Sequence, residues 1–503
     1  MIAENPTYDA PVVDRGRPTG WAWVVAIVQF AVLVATSSGY GYHRDEMYFI
    51  AAGGHPAFGY PDQPPLVPLL SWAMNQLAPG SVSVLRLPSA LAAAAITLLA
   101  ALIAREIGGD RRAQIVAACA AAGSGFVLAT GHMVSTTTYD VLATSTVGWL
   151  LIRAVRRHSG ASLLWAGVVA GIGCEAKPQV AFVSVIALAM MAVVGPRWPF
   201  RSKWLAGAVV AAIVIAGPYV VWQATHDWPQ LTIAGNVAGS AEGGRVGFIP
   251  FQLVMVSPLL VPVWIAGLLL PWRRTALRSL RFVPLTYVVA GLAYLAGDGK
   301  AYYLASLYPV LLGMGALPVA DWTRRARARL RLSVLLVALA LSIVISAFLA
   351  LPLLPAAKLP GSAPMAINPD LGETVGWPRF VATVAAAWKA LPVTTRAHTV
   401  IFTGNYGEAG AVDLLGAKLG LPRAYSGHNG FSGWGQPGPR ATDALLLGYD
   451  GPADAAPHFI DCRRLATIDD GVGLDNQEQG GPVLFCRTAS SWASMWPALR
   501  HYN

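Results

Sequence analysis

The chain alternates long apolar runs with short polar connections as far as Leu351. A bilayer core about 30 Å thick requires about 20 mostly apolar residues per helix. Eleven segments meet or approach this length: residues 21–39, 84–104, 113–131, 134–152, 161–175, 178–195, 205–222, 251–270, 282–297, 302–320 and 332–351. The pattern predicts a polytopic α-helical membrane protein with about eleven transmembrane helices.

After Leu351 the pattern changes. The stretch "LPLLPAAKLPGSAP" is rich in proline and marks a linker. Beyond it, "HTVIFTG", "DALLLGYDG" and "GPVLFCRT" predict short buried strands, and "EAGAVDLLGAKLG" predicts a helix that ends at Gly420. The sequence therefore divides into a tail (1–20), a transmembrane domain (21–351) with a long first loop at about 40–83, and a small α/β domain (352–503).

Composition supports the membrane assignment. Hydrophobic residues make up 55% of the chain and charged residues 12%, whereas a soluble domain is about 25% charged. The net charge of +10 comes from short basic clusters between apolar runs. Such clusters are typical of topology signals rather than of a nucleic-acid surface. We therefore expect the lipid bilayer as a partner and no nucleic acid.

The basic residues also predict orientation, because cytoplasmic loops accumulate Lys and Arg. With the N-terminus inside, twenty basic residues fall on the cytoplasmic side. Before the C-terminal domain, the opposite side holds five, namely Arg44, Arg86, Lys177, Arg245 and Lys300. The expected protein is a multi-pass cell-membrane protein with a cytoplasmic N-terminus and an extracytoplasmic C-terminal domain. That compartment is oxidising and permits a disulfide between Cys462 and Cys486, although the sequence leaves their pairing open.

Ionisable residues collect at the predicted outer ends of several spans. They lie in "HRDEMYF" and "GYPDQPPL" of the first loop, at Asp140 in "TTTYD", at Lys177 in "CEAKP" and at Lys300 in "GDGKAYY". Charged groups near the membrane are expensive and usually functional, so we expect one polar cleft at the outer leaflet. A carboxylate there can take a proton from an attacking hydroxyl, and a lysine can stabilise a departing phosphate. Since cytoplasmic nucleotides do not reach this side, the pattern predicts group transfer from a lipid phosphate.

These motifs carry a resemblance to a known family. An Asp-Glu pair follows the first span ("HRDEMYF"), an aromatic, acidic and proline segment follows it ("FGYPDQPPL"), an Asp begins the fourth span, and "GKAYYLASLYP" enters a late span. In this order the sequence resembles family 39 glycosyltransferases of the GT-C superfold, and is similar to protein O-mannosyltransferases and lipid A aminoarabinose transferases. The resemblance covers about residues 20 to 320.

The resemblance implies roles for individual residues. Asp45 would be the general base and Glu46 would position the acceptor, while Asp140 would shape the site and Lys177 and Lys300 would approach the lipid phosphate. The remaining substrate-binding candidates are His43, Arg44, Asp62, Gln63, Tyr302 and Tyr303. Gln63 stands where aminoarabinose transferases tend to have a basic residue, which argues against aminoarabinose as the sugar. Nothing from the family extends to the C-terminal domain.

The resulting hypothesis is a membrane glycosyltransferase, either a hexosyl- or a pentosyltransferase. It moves a sugar from a polyprenyl-phosphate donor to an extracytoplasmic protein, lipid or cell-wall glycan, with inversion. The scheme requires no cofactor, although clustered carboxylates are suited to Mg²⁺. The alternative is a transporter or flippase of lipid-linked sugars, but the sequence has no internal repeat and its charges lie at helix ends. A cell-envelope scaffold would explain the C-terminal domain but not the acids.

Several of these residues also have structural interpretations. Asp45 and Glu46 suit an interfacial helix cap, and Lys177 and Lys300 suit side chains that snorkel to the headgroups. In the C-terminal domain, "GNYGEAG" fits a strand-to-helix turn better than a phosphate loop, because it lacks the P-loop Lys and Ser/Thr. "GHNGFSGWG" is equally typical of a surface loop and of a glycan contact.

Overall fold

A computed structural model describes residues 19–239 and 244–503. Nearly all of the predicted cytoplasmic tail, residues 1–18 of 1–20, lies outside the described residues. Before Leu351 the α-helices are α1 (Gly20–Thr36), α2 (Arg44–Gly53), α3 (Leu66–Leu77), α4 (Val82–Glu106), α5 (Arg111–Ala122), α6 (Gly125–His132), α7 (Thr136–Arg157), α8 (Gly160–Cys174), α9 (Gln179–Val194), α10 (Lys203–Thr225), α11 (Pro229–Gly239), α12 (Gly244–Val256), α13 (Val261–Arg273), α14 (Phe282–Ala296), α15 (Tyr308–Trp322) and α16 (Ala328–Ala350). Short 3-10 helices span Trp198–Arg201, Pro258–Leu260, Thr275–Leu280, Ala301–Leu307, Ala356–Lys358, Pro369–Thr374, Ala417–Leu419 and Asn429–Gly433.

The apolar helices differ in how deeply they are packed. In α4 and in Ala301–Trp322, 67% and 83% of the apolar window is buried, whereas α10 and α16 bury only 11% and 22%. The outward side chains of α10 include Ile213 and Val214, which are more than 60% exposed. Large contiguous apolar surfaces of this kind require an apolar surrounding. The protein is therefore a membrane protein, with α4 and α15 inside the helical bundle and α10 and α16 at its periphery.

Every predicted span contains a helix, but not every helix is long. Within the described residues, four helices are long and apolar enough to cross a membrane, or six if each of two bent pairs counts as one span. The pairs are Arg111–Ala122 with Gly125–His132, bent by 57°, and Arg245–Val256 with Pro258–Arg273, bent by 83°. Shorter apolar helices are α1, α8, α9 and α14. The count of eleven spans remains a prediction.

The loops predicted to be cytoplasmic gather at one end of the helical bundle. There Glu106 accepts hydrogen bonds from Arg153 (3.3 Å) and Arg157. Two further pairs join loops that are distant in sequence, Arg324 with Asp110 and Arg274 with Asp321. These are the same loops that the distribution of Lys and Arg assigns to the cytoplasm. The side of the membrane on which they lie remains a prediction.

The C-terminal domain is built on a five-stranded sheet. Its elements are α17 (Ala363–Ile367), α18 (Trp377–Ala390), α19 (Val393–Arg396), β1 (Thr399–Thr403), α20 (Tyr406–Gly416), β2 (Ala424–Ser426), β3 (Asp443–Leu447), α21 (Pro452–Ala455), β4 (Phe459–Thr467), β5 (Pro482–Thr488) and α22 (Trp492–Leu499). The strand order is β2-β1-β3-β5-β4. β1 is parallel to β2 and β3, and β5 is antiparallel to β3 and β4.

The predicted strands correspond to β1, β3 and β5. The predicted helix corresponds to α20 and the 3-10 turn after it, which ends at Gly420 with φ +80°, a conformation that glycine adopts without strain. β2 and β4 were not predicted, since β2 has three residues and β4 carries polar, exposed side chains on a sheet edge. Cys462 and Cys486 form a disulfide between β4 and β5.

The C-terminal domain packs directly against the first loop. Met47 and Tyr48 of α2 are at most 1% exposed and belong to one apolar core with residues of α18 and α20. The approach is so close that a Cβ added to Gly410 would lie 3.1 Å from the backbone of both residues. The α2–α20 contact therefore fixes the position of the C-terminal domain over the start of α2.

Candidate active site

The start of α2 is held by a capping box at His43 and Glu46. The Nδ1 atom of His43 accepts a hydrogen bond from the backbone N–H of Asp45 (3.2 Å), and the carboxylate of Glu46 accepts one from the N–H of His43 (2.8 Å). Reciprocal bonds of this kind satisfy the free N–H groups of the first helical turn. Because Nδ1 is an acceptor, we assign the ring proton of His43 to Nε2. Asp45 is thereby placed on a rigid first turn.

Glu46 makes its hydrogen bonds within the protein, and its role in positioning the acceptor remains a prediction. It is fully buried, and Arg86 donates to both of its carboxylate oxygens at 2.8 Å. The backbone N–H of Val134 donates a further bond (2.9 Å). Its oxygens are occupied within the protein, so Glu46 anchors the first loop. Arg86 was expected among the outer-loop charges, but it lies in α4 and also donates to the carbonyl oxygen of Gly41 (2.7 Å).

Asp45, in contrast, is partly exposed and has few hydrogen bonds. Its side chain is 36% exposed, and its Oδ1 accepts a hydrogen bond from the hydroxyl of Tyr406 in α20 (2.9 Å). The Nε of Arg44 lies 3.9 Å from Oδ1, and the Nδ1 of His43 lies 3.8 Å from Oδ2. Since Nδ1 already accepts the N–H of Asp45, it donates nothing to Oδ2. Among the described residues Oδ2 therefore has no hydrogen-bond donor and is open to accept a proton.

Asp62 and Gln63 lie deeper in the same loop. The hydroxyl of Tyr48 donates to Oδ1 of Asp62 (2.7 Å), and the amide of Asn429 donates to Oδ2 (3.4 Å). Burial raises the pKa of Asp62 to about 7, and the nearby charge of Asp45 acts in the same direction. Gln63 is 3% exposed, and neither of its amide atoms has a hydrogen-bond partner among the described residues. A buried polar group without a partner is costly and points to a ligand or water.

Lys177 is the centre of a second group of predicted residues. Its Nζ donates to the hydroxyl of Thr137 (3.0 Å) and lies 5.1 Å from the ring centroids of both Tyr302 and Tyr303. Burial lowers its pKa to about 8, with Asp140 opposing the shift and Lys300 adding to it. Two cations in electrostatic reach of each other form a suitable site for an anion.

Asp140 lies at the start of α7 and is 1% exposed. Its Oδ1 accepts a hydrogen bond from the hydroxyl of Thr144 (3.0 Å). The pKa of the Tyr302 hydroxyl depends mostly on burial, and the charges of both Asp45 and Asp140 also act on it. The structure thus brings together residues of the first loop, of α7, of the α8–α9 loop and of the segment before α15.

His43 and Arg44 have mainly structural contacts. His43 is 5% exposed and caps α2. The guanidinium of Arg44 lies 3.7 Å from the carboxylate of Glu373, bonds to Gln477 and lies 5.8 Å above the ring of Tyr406. Arg44 therefore stabilises the junction with the C-terminal domain and His43 the start of α2, and the substrate-binding roles of both remain a prediction.

A metal site is not evident. In residues 19–239 and 244–503, no group of three or more His, Cys, Asp or Glu side chains is arranged to hold an ion. Asp45 and Asp62 each accept a hydrogen bond from a different tyrosine, Tyr406 and Tyr48. The Mg²⁺ hypothesis remains a prediction, and the proposed reaction uses no metal.

A family model and several solved structures are similar to this chain. Residues 62–222 match the family model described as dolichyl-phosphate-mannose-protein mannosyltransferase, a segment that includes Asp62, Gln63, Asp140 and Lys177 but not Asp45. No curated protein matches the chain.

Among solved structures, the chain is similar to ArnT from Cupriavidus metallidurans in the apo state, with 13% identity, a TM-score of 0.63, and 93% of this chain and 98% of that chain covered. For ArnT bound to undecaprenyl phosphate, the identity is 13%, the TM-score 0.60, and the coverage 94% and 99%. For the arabinofuranosyltransferase AftD from Mycobacteria, the identity is 15% and the TM-score 0.53, and 94% of this chain matches 40% of that one. At these identities the likeness establishes the fold.

Proposed function

Because this chain has the GT-C fold, we propose that it is a membrane glycosyltransferase that transfers a sugar from a polyprenyl-phosphate donor to a hydroxyl of an extracytoplasmic acceptor. The observation that carries the proposal is that, among the described residues, Asp45 has one carboxylate oxygen without a hydrogen-bond donor, while Nζ of Lys177 lies against the rings of Tyr302 and Tyr303 without an ion-pair partner. A base and an anion site are what glycosyl transfer from a phosphate requires. The undecaprenyl phosphate bound to ArnT, a protein of the same fold, supports this class of donor.

In the proposed reaction Asp45 takes the proton of the acceptor hydroxyl on Oδ2. The acceptor oxygen attacks the anomeric carbon from the face opposite the phosphate and forms the new glycosidic bond. The bond between the anomeric carbon and the phosphate oxygen breaks, and its electron pair leaves with the lipid phosphate. The configuration at the anomeric carbon inverts. Lys177 and Lys300 stabilise the negative charge that develops on the leaving group.

The residues around Lys177 are suited to binding a phosphate. The rings of Tyr302 and Tyr303 flank Nζ of Lys177 at 5.1 Å, and cation–π contact holds an ammonium in place without neutralising it. Within the described residues, no carboxylate lies within 4 Å of Lys177 to form an ion pair. A phosphate therefore meets a cation that has no competing anionic partner in contact.

The test is an assay in proteoliposomes with undecaprenyl-phosphate-linked sugars as donors. Release of undecaprenyl phosphate together with a labelled glycosylated product would support a transferase, and the Asp45→Asn protein serves as the inactive control. Movement of intact donor across the bilayer without cleavage would instead identify the flippase alternative. Donor cleavage that is equally fast in the Asp45→Asn protein would contradict the proposed mechanism.

A further inference from the structure

We propose that Tyr406 is a positioning residue through which the C-terminal domain completes the active site. Its hydroxyl orients the carboxylate of Asp45 and stabilises it in the ionised form. The proposal rests on the function proposed above for Asp45. It assigns a catalytic task to a domain for which the sequence indicated none.

Several contacts fix the tyrosine ring. The hydroxyl donates to Oδ1 of Asp45 (2.9 Å), and the ring stacks on Tyr48 with centroids 4.6 Å apart and planes at 30°. The guanidinium of Arg44 lies 5.8 Å above the same ring. The backbone N–H of Tyr406 donates to Nδ1 of His428 (3.3 Å). A hydroxyl fixed in this way holds its acceptor in one orientation, which is what preorganised catalysis requires.

The backbone that carries Tyr406 is equally well fixed. Tyr406 is the first residue of α20, which begins with a capping box between Asn405 and Glu408. The next residue is a glycine, and a Cβ on Gly407 would lie 2.9 Å from the Cβ of Arg44. The helix therefore approaches α2 closely only because this position lacks a side chain. Docking of α20 on α2 places the hydroxyl, so the site depends on the whole domain.

The effect on Asp45 follows from which of its oxygens is occupied. The charged or titratable groups that face this carboxylate are His43, Arg44, Asp62, Tyr302, Glu373 and Tyr406. In the part of the chain that the structure describes, Tyr406 is the one side chain that donates a hydrogen bond to it. Because the bond is made to Oδ1, Oδ2 remains available for the acceptor proton. A hydrogen bond to an ionised group favours that ionised form.

The Tyr406→Phe variant tests the proposal, because it keeps the ring and its stacking on Tyr48 while removing the donor. Tyr449→Phe is the matched control, since Tyr449 is a half-buried tyrosine of the same domain that packs on Phe459, away from Asp45. In the Tyr406→Phe protein we expect turnover at neutral pH to fall about tenfold, equivalent to about 1.4 kcal/mol. The acidic limb of the pH–rate profile should move to higher pH by about one unit, because the ionised carboxylate loses a stabilising bond. Donor affinity and melting temperature should stay unchanged.

A second measurement keeps the test independent of folding. With 3-fluorotyrosine at position 406, the shape is retained while the hydroxyl becomes a stronger donor, so the acidic limb should move to lower pH. Shifts in opposite directions for the two variants would support the positioning role. An unshifted acidic limb in both proteins would overturn it. If Asp45→Asn is inactive while Tyr406→Phe behaves like wild type, only this inference fails; if Asp45→Asn remains active, the proposed function of Asp45 fails as well.

Discussion

Arg86 and Glu46 form a doubly hydrogen-bonded ion pair in which Nε and Nη2 of the arginine each lie 2.8 Å from a carboxylate oxygen. Both side chains are at most 1% exposed. Since α4 is one of the most buried helices, this pair attaches the first loop to the centre of the bundle. The adjacent Asp45 is not part of this pair. Under the proposed function, the two acids of "HRDEMYF" therefore divide support and catalysis between them.

Removing one partner of this pair should destabilise the protein. Glu46→Gln leaves the guanidinium of Arg86 buried without a counter-charge, which typically costs about 3–5 kcal/mol. We expect a markedly lower melting temperature in detergent, and partial recovery in the Glu46→Leu/Arg86→Met double variant, which buries no charge. A Glu46→Gln protein with a normal melting temperature and lost activity would favour the predicted role of Glu46 in positioning the acceptor over a purely structural role.

Asp45→Asn should have the opposite outcome. It keeps the size of the side chain and the bond from Tyr406 but removes the proton acceptor, so turnover should fall by about 10²- to 10⁴-fold. Melting temperature and donor binding should be retained, since the side chain is part of no buried ion pair. Asp450→Asn, at an exposed position of the C-terminal domain, is the control. Turnover within about threefold of wild type would be too small a loss for a general base.

The features that could be predicted from the sequence are those that depend on residues close together in the chain. Apolar runs of helical length located the helices, and ionisable residues beside those runs pointed to Asp45, Asp140 and Lys177. Tyr406 lies 361 residues from Asp45, and no local pattern joins them. The contact of Tyr406 with Asp45 was not predicted, because the segment around Tyr406 indicates only a strand-to-helix turn.

Arg86 was not recognised for a different reason. In sequence it is one more charge near the outer end of a span, and its burial depends on the position of Glu46 on a separate helix. The bends between α5 and α6 and between α12 and α13 were not predicted either, since average hydropathy over a window does not register a break. Pairings of residues far apart in the chain, and breaks within apolar runs, thus account for most of what the sequence left open.

Cysteine labelling should test the predicted topology. In a background that lacks Cys119 and Cys174, cysteines introduced near Arg112 and Arg157 should be protected from an impermeant thiol reagent in intact cells. A cysteine introduced near Gly438, which is exposed in the C-terminal domain, should be labelled. The reverse pattern would place the acids and the C-terminal domain in the cytoplasm and contradict the proposed donor and acceptor.

Stability should fall as pH rises because of Glu408. Burial, together with the charge of Glu478, raises the pKa of Glu408 from its usual 4.5 to about 8. Between these values the folded state keeps a proton that the unfolded state has released, so the free energy of unfolding decreases as pH rises. Glu408→Gln should flatten the fall in melting temperature between pH 5 and pH 9, while Asp475→Asn, at an exposed position, should not. Parallel curves for wild type and Glu408→Gln would contradict the assignment.

Binding of the lipid phosphate should depend on the charge of Lys177. Because the pKa of Lys177 is lowered to about 8, its ammonium loses its proton as pH rises through that value, and affinity for undecaprenyl phosphate should weaken between about pH 7.5 and pH 9.5. Lys177→Arg should remove this pH dependence, since a guanidinium stays charged. Lys177→Gln should bind undecaprenyl phosphate about tenfold more weakly than the wild type does at pH 7.5, and with the same affinity across the pH range. Lys389→Gln, at an exposed position, is the control.

Lys300 provides an internal check on this prediction. Its positive charge is one of the causes that lower the pKa of Lys177, so Lys300→Gln should move the loss of affinity to higher pH. The same variant should weaken binding below pH 7.5, because one of the two cations that face the phosphate is gone. If affinity is independent of pH in the wild type and unchanged with Gln at both positions, the lysines only snorkel to the membrane surface. The phosphate site must then lie elsewhere.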